Sequence, residues 1–308
     1  MSRTISPSAN RPYGLARVAR TWKIARSTIY AQLSAERARV NCAEMQGAAD
    51  RDTPKRGPKT RYSDADLVAC IRAVLSESQF VGEGHRKVWA KLRFQGVRTS
   101  RVRVLRLMRE NELLAPTRAP RVRGPYPHDG TITTEQPNEM WGTDATTVMT
   151  GEGTATVFIA IDHCSSDCVG IHAARVGTRF EALDVIAQGV REHFGGYDAG
   201  IALGLKLRHD HGSQFVSHHY QEEIRFLGIE SSPSFIRMPE GNGCSERFIR
   251  TLNEQLLWIR FFATVEELLE ALHEFKDRYN QHWLVARHGF RSPAAVRAEH
   301  QAQLSIAA

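Results

Sequence analysis

The sequence predicts an α/β domain built on a mixed five-stranded sheet, preceded by all-α modules of the helix-turn-helix type. Three observations support this prediction. Up to about residue 115, apolar residues recur at intervals of three and four, which is the helical period. Beyond residue 135, short apolar runs alternate with helical stretches, as expected for a sheet covered by helices. The net charge also changes sign between these two regions.

The composition is that of a globular protein in a reducing compartment. Of 308 residues, 42% are hydrophobic and 24% are charged. The longest apolar run, residues 155–161, is far shorter than the roughly 18 residues that span a membrane. Five cysteines, an odd number, argue against a secreted disulfide scaffold. A membrane protein, a secreted mini-protein and a fibre are therefore excluded.

The two halves of the chain carry opposite charge. Residues 1–135 contain 26 Lys and Arg against 12 Asp and Glu, whereas residues 136–308 contain 15 against 22. A basic half joined to an acidic half indicates polyanion binding in the first and a different task in the second. A solvated basic surface is the alternative, and the acid-free stretch before Glu36 is also typical of a transit peptide.

Residues 1–40 have a helix-turn-helix outline. Two short helices with apolar stripes fit within residues 14–33, and Ser27 or Thr28 is the expected cap of the second. On this interpretation Arg26 and Thr28 face DNA, together with Tyr30 and Gln32. Any helical hairpin shows a similar pattern, so the rest of the chain must support the DNA-binding interpretation.

A second helical module is predicted at residues 63–115, between a linker at 41–62 and a basic, proline-rich connector at 116–135. Ser63 with Asp66 resembles a capping box at its start. Its third helix is expected to begin at Thr99 or Ser100 and to turn three apolar residues inward: Val102, Leu105 and Met108. Its basic residues are then expected to contact phosphates: Arg101, Arg103, Arg106 and Arg109.

Residues 136–297 have the pattern of a sheet covered by helices, followed by a tail at 298–308. Strands are expected at 141–149, 154–162, 168–174, 203–208 and near residue 229. Helices are expected at 179–194, 216–226, 240–261 and 265–279. A three-strand meander followed by alternating helices and strands is the order of the ribonuclease-H-like fold.

Three acidic residues lie at positions where a carboxylate would need a cation or another polar partner. Asp144 lies in the first strand, Asp210 follows the fourth strand, and Glu246 begins a helix after a gap of 35 residues. Burying an unpaired acid is costly. Carboxylates from two strands and a helix can meet at one end of a sheet, where they would hold Mg²⁺. Two such ions clamp the attacking and leaving oxygens of a phosphodiester. Three unrelated surface acids are the alternative.

The contexts of these acids resemble bacterial insertion-sequence transposases with a retroviral-integrase-type core, most closely the IS-three family. WGTD, HDHGSQF, GNGCSERFIRTL, YNQHWL and RHGFRSP fall in that family's order over about residues 56–297. The resemblance implies a DDE catalytic triad in which Asp144, Asp210 and Glu246 hold two Mg²⁺ ions, with Mn²⁺ as a substitute. It also implies partners: transposon-end and target DNA, further copies of the chain on DNA, and the product of an upstream reading frame.

One position departs from the family's pattern. A lysine usually follows the glutamate by seven residues and contacts the transposon end, whereas this chain has Asn253. Arg250, one turn after Glu246, is a candidate substitute. No zinc is expected at His163, Cys164, Cys168 and His172, because strand residues three or four apart do not converge on one ion.

The combined interpretation is an Mg²⁺-dependent DNA transposase that cleaves strands at transposon ends and transfers them to other DNA. It would work in the bacterial cytoplasm, associated with the nucleoid when bound to DNA and without membrane attachment. A DNA-binding repressor with a catalytically weakened core is the alternative that Asn253 favours, and the intact triad opposes it. A ribonuclease of similar fold is disfavoured by the two basic helical modules.

Overall fold

A computed structural model describes residues 4–7, 9–45, 61–116, 132–234 and 242–307. The chain divides into two compact units, residues 1–59 and 60–308. Within the described ranges, no helix is both long enough and apolar enough to cross a membrane. The connector at 117–131 and most of the linker, residues 46–60, lie outside those ranges.

The first unit contains two helices, α1 (Leu15–Thr21) and α2 (Arg26–Met45). The helix pair is where the sequence predicts it, but α2 begins at Arg26. Ser27 and Thr28 therefore lie inside its first turn and do not cap it, which corrects that expectation. Arg26 and Thr28 are exposed. Because α2 continues to Met45, the linker starts later than residue 41.

The second unit begins with three helices, α3 (Asp64–Ser76), α4 (His85–Phe94) and α5 (Arg101–Glu110). The capping box of Ser63 and Asp66 is confirmed, and Ser100 caps α5. The three helices share a small apolar core, made of Leu67, Ile71, Val74, Val88, Leu92, Val97, Val104, Leu107 and Met108.

The inward face of α5 differs from the prediction. Val102 is 73% exposed and Leu105 is only partly buried, whereas Val104 and Leu107 are buried with Met108. Both stripes are present in the sequence. The buried one is contiguous because its members are three, four and one residues apart on one helix face, and it is the stripe that α3 and α4 cover.

The core domain is a five-stranded sheet in the order β3-β2-β1-β4-β5. Its strands are β1 (Met140–Thr150), β2 (Gly153–Asp162), β3 (Cys168–Ala174), β4 (Lys206–His209) and β5 (Glu230–Pro233). The first three form an antiparallel meander, and β4 and β5 run parallel to β1. The mixed five-stranded sheet of the predicted fold class is confirmed.

Helices cover both faces of the sheet and create two apolar layers. They are α6 (Arg179–Phe194), α7 (Ser213–Val216), α8 (His218–Phe226), α9 (Gly243–Leu252), α10 (Val265–His282) and α11 (Pro293–Ala307). α6 ends at Gly195, whose φ of 82° is left-handed, as its glycine predicts. The helix expected at 240–261 is shorter: α9 passes into a π-helical turn, Asn253–Leu257.

The helical module of residues 61–116 is docked on the core domain by polar and aromatic contacts. The side chain of Gln255 accepts a hydrogen bond from the backbone N–H of Val81 at 2.8 Å and donates one to its carbonyl at 2.9 Å. Phe80 is buried in the core and meets Trp283 edge to face, with ring centroids 4.9 Å apart. Lys87 lies over the Trp283 ring, and burial lowers the pKa of its ammonium group to about 7.

Arg297 on α11 is buried between two carboxylates of the β2–β3 turn. Its guanidinium group lies 2.8 Å from Asp167 and 3.2 Å from Asp162, and it donates to Asn138 Oδ1 at 2.9 Å. Burial, together with the charge of Asp167, raises the pKa of Asp162. Because both carboxylates are buried, this arginine fastens the last helix to the sheet.

Arg297→Met is expected to destabilise the protein by about 3–5 kcal/mol, because it leaves two buried carboxylates without their cation. Arg291→Met is the matched control, since Arg291 pairs with Glu299 on the surface, where an ion pair contributes at most about 1 kcal/mol. Urea unfolding followed by circular dichroism measures both variants. Equal losses of stability would contradict the role given to the buried pair.

Candidate active site

The register of β1 and β4 brings two acidic residues level with each other. Gly142 and Arg208 are the last residues paired between these parallel strands. Asp144 and Asp210 each lie two residues beyond that pair, Asp144 still within β1 and Asp210 directly after the end of β4. Asp144 is partly buried in β1, whereas Asp210 is exposed at the start of the loop after β4.

Helix α9 supplies the third acid. Glu246 lies in its first turn and is exposed, and the helix packs along β1 and β2. The approach is close at the start of α9, because a Cβ atom at Gly142 would lie 2.6 Å from Oγ of Ser245. The three predicted acids therefore come from three different elements, which are β1, the loop after β4 and α9.

Asp144 responds electrostatically to the other two carboxylates. Burial raises its pKa to about 6, the N–H of Ala145 opposes the shift from 2.8 Å, and the like charges of Asp210 and Glu246 add to it. No cation of the described residues contributes to this shift. A bound cation would favour the ionised form of Asp144.

The donor set fits a hard divalent cation. Three carboxylates offer only oxygen atoms, which suit Mg²⁺ and Mn²⁺. Asp144 and Asp210 each turn one oxygen to a backbone N–H, of Ala145 and Gly212 respectively. In the part of the chain that the structure describes, no three His, Cys, Asp or Glu side chains lie close enough to share one ion as they stand. Mg²⁺ needs only one or two protein carboxylates and fills its remaining positions with water and phosphate oxygens.

The arginines of α5 differ in how far they are available to DNA. Arg101 is exposed. Arg103 donates to Asp64 from Nε at 2.8 Å, and Arg106 pairs with Asp64 at 2.6 Å and with Glu110 at 2.8 Å. These two arginines hold the pKa of Asp64 well below its usual range. Part of the positive charge of the module is therefore matched by acids within it.

Arg250 and Asn253 lie along different grooves. Arg250 lines a groove of about 340 Å³ with Val81 and Lys87 of the helical module. Asn253, the first residue of the π-helical turn, lines another groove with Thr147 of β1. Whether Arg250 takes the part of a lysine at 253 stays a prediction.

Sequence reasoning missed the polar contacts that hold α9 against β1. Asn242 donates from Nδ2 to the carbonyl oxygen of Thr143 at 3.0 Å, and the Oγ of Ser245 lies over Gly142. The neighbouring glycines at 241 and 243 suggest only a mobile loop in the sequence. The motif GNGCSE contained a signal, because an asparagine immediately before a helix is a common cap.

Two domain families match the chain. Residues 134–239 match the integrase core domain, and residues 62–121 match an HTH-like domain. The first match includes Asp144 and Asp210 and ends before Glu246. The chain is therefore similar to an integrase core domain and, before it, to an HTH-like domain, and the predicted fold class is confirmed.

The sequence is also homologous to Escherichia coli transposases. It is 26% identical over 244 residues to transposase InsD of insertion element IS2, covering 77% of this chain and 80% of InsD. It is 25% identical over 294 residues to an uncharacterized 48.2 kDa protein of insertion element IS2A. That alignment covers 94% of this chain, which spans only 65% of the relative. The resemblance to the IS-three family is confirmed.

Weaker similarity extends to solved structures of viral origin. A chain of the simian T-cell lymphotropic virus intasome in complex with PP2A regulatory subunit B56 gamma aligns with 76% of this chain and 74% of its own length. Its identity is 16% and its TM-score is 0.45. The HTLV-2 integrase catalytic core domain in complex with magnesium aligns with 53% of this chain and 98% of its own, at 17% identity and a TM-score of 0.40.

Asp144→Asn is expected to stabilise the metal-free protein at neutral pH but not in acid. Folding raises the pKa of Asp144 from 3.8 to about 6. The protonated carboxyl group therefore favours the folded state fully below about pH 4, and this contribution to stability is lost as the pH rises through 6. Above that pH the variant should be more stable by up to about 3 kcal/mol. Thermal unfolding in EDTA at a series of pH values measures the difference.

Asp277→Asn serves as the control for this experiment, because Asp277 is exposed on α10. It should unfold like the unaltered protein at every pH. A stability difference for Asp144→Asn that does not change with pH would contradict the electrostatic account of the site.

Proposed function

We propose that this chain, an integrase core domain behind an HTH-like domain, is a DNA transposase, a polynucleotidyl transferase that cleaves strands at transposon ends and joins them to target DNA. The observation that supports the proposal is that the charges of Asp210 and Glu246 both act on the partly buried Asp144. Homology to InsD supports the choice of substrate, because InsD is named as the transposase of an insertion element.

The three carboxylates are the proposed ligands of two divalent ions, Mg²⁺ or Mn²⁺. Ions bound there stabilise negative charge on the attacking and leaving oxygens of a phosphodiester. The protein's part is to fix the ligands in place. Strand β1 presents Asp144 from a sheet with partners on both sides, the N–H of Gly212 holds one oxygen of Asp210, and the first turn of α9 presents Glu246.

Exposed basic groups lie on α9 and on the helical module. Arg247 and Arg250 of α9 are exposed beside the groove that they line with residues of the module. Arg101 is exposed on α5. We expect DNA phosphates to contact these cations, and Arg26 and Thr28 of the first unit to contact DNA as well.

The remaining partners belong to the same proposal. The chain acts as a homo-oligomer assembled on DNA, and the product of an upstream reading frame joins it. It works in the bacterial cytoplasm and associates with the nucleoid when it is bound to DNA. Metal binding at the site needs only the carboxylates, and zinc has no part in it.

Asp144→Asn and Glu246→Gln are expected to abolish strand cleavage while leaving DNA affinity within about twofold of the unaltered protein, because these carboxylates hold the ions and do not contact the duplex. The substrate is end-labelled DNA carrying the termini of the element that encodes the chain, incubated with Mg²⁺, Mn²⁺ or EDTA. Gel electrophoresis measures cleavage, and fluorescence anisotropy measures binding.

Glu222→Gln is the control, because Glu222 is exposed on α8 and pairs with His218. It should cleave at the normal rate. Binding without cleavage by the unaltered protein at every metal concentration would overturn the proposal and leave a DNA-binding repressor as the function.

Asn253→Lys is expected to tighten binding of transposon-end DNA several-fold, because a lysine there adds a charge-assisted phosphate contact of about 1 kcal/mol. Arg250→Ala should weaken binding by the same factor with either residue at 253, since the two side chains line different grooves. Anisotropy on the four proteins gives the double-mutant cycle. A coupling energy well above about 0.5 kcal/mol would show that the two positions share one role.

A further inference from the structure

Three buried polar atoms surround Gly142, two residues before Asp144. A Cβ atom at position 142 would lie 2.6 Å from Ser245 Oγ, 2.7 Å from Asn242 Oδ1 and 2.8 Å from His163 Nε2. Each of the three side chains is at least nine-tenths buried. Among the described residues, none of the three atoms has a hydrogen-bond partner. We call these four residues the Gly142 cluster.

The chemistry of the Gly142 cluster is set by the histidine. His163 Nδ1 lies 3.0 Å from the carbonyl oxygen of Ile132, so Nδ1 carries the proton and donates it. Burial lowers the pKa of His163 to about 4, which keeps the ring neutral and makes Nε2 an acceptor. The Gly142 cluster therefore contains two acceptors, Nε2 and Asn242 Oδ1, and one hydroxyl group that can donate, on Ser245.

The Gly142 cluster joins the backbones that carry two of the acids. Ser245 immediately precedes Glu246. Asn242 donates from Nδ2 to the carbonyl oxygen of Thr143, the residue before Asp144, at 3.0 Å. Gly142 allows α9 to approach β1 this closely, because any larger residue would displace all three polar groups.

The side chain of Asn242 does not cap the helix that follows it. It is the residue before α9, where an asparagine side chain commonly accepts a hydrogen bond from the helix and stabilises it by about 1 kcal/mol. Here its side chain makes no such bond to the described residues of α9. The amide instead reaches the strand, next to Asp144. The side chain of Asn242 therefore links α9 to β1, the two elements that carry Glu246 and Asp144, and does not cap α9.

We propose that Asn242 is a positioning residue that ties the first turn of α9 to β1 and so sets the distance between Glu246 and Asp144. The inference rests on the proposed function, in which these two acids bind divalent ions. Ser245 and His163 close the Gly142 cluster around this tie. Loss of the tie lets Glu246 move relative to Asp144 and weakens ion binding without removing a ligand.

The test is the affinity of the full chain for Mn²⁺, measured by titration calorimetry in the absence of DNA. Asn242→Ala is expected to weaken Mn²⁺ binding by about tenfold, the lower end of the range for residues that support metal ligands. Asn280→Ala is the matched control. Asn280 on α10 bonds both the N–H and the carbonyl of Cys168 on β3, so it also joins a helix to a strand.

Unfolding in EDTA separates positioning from general stability. Both alanine variants should unfold more easily, but only Asn242→Ala should lose Mn²⁺ affinity. Equal losses of affinity in the two variants, or normal affinity in Asn242→Ala, would overturn the inference. Ser245→Ala removes one hydroxyl group and should weaken Mn²⁺ binding in the same direction by a smaller factor, which provides a second measurement if Asn242→Ala fails to fold.

Asn242→Ser distinguishes the tie from ordinary capping. Serine caps a helix as well as asparagine does but is too short to reach Thr143. We expect Asn242→Ser to bind Mn²⁺ as weakly as Asn242→Ala, and restored affinity would overturn the inference. Failure of the unaltered protein to bind Mn²⁺ would be a different result, since it would remove the proposed function itself and this inference with it.

Discussion

Three like charges at one end of a sheet are the constraint on which the rest of this structure depends. Burial raises the pKa of Asp144 to about 6, and the charges of Asp210 and Glu246 add to that rise. Such a group opposes its own assembly, so the surrounding structure must hold it. Strand β1 has partners on both sides, and α9 is fixed by Phe248 and Leu252 in the apolar layer beneath it. Rigid packing thus keeps in place carboxylates that repel each other.

Opposite charges shape the helical module in a different way. Asp64 accepts from Arg103 and Arg106, so these arginines order the start of α3 against α5 as well as adding positive charge. Arg101 belongs to no such pair in the described residues and extends into solvent. The excess of basic residues in this half of the chain therefore has two components. One stabilises the module, and the other is available to phosphates.

Sequence patterns predict those features that depend on interactions between residues close together in the chain. The capping box at Ser63 and the left-handed glycine at the end of α6 are each set within four residues, and the sheet order follows from the sequence of strands and helices. The sequence contexts of Asp144, Asp210 and Glu246 predict a triad. The contact of Asn242 with Thr143 spans 99 residues and that of Arg103 with Asp64 spans 39. No local pattern encodes such pairs, because they arise only when separate elements pack.

The two hydrogen bonds between Gln255 and Val81 determine which substitutions the contact between the helical module and the core domain tolerates. Gln255 binds the N–H and the carbonyl of Val81, and the Val81 side chain is 64% exposed. Docking at this point depends on the backbone, which every residue except proline offers. Substitutions at position 81 are therefore compatible with the joint. A helical module that differs at position 81 can still dock on the core domain, provided that Gln255 and the aromatic pair of Phe80 and Trp283 are retained.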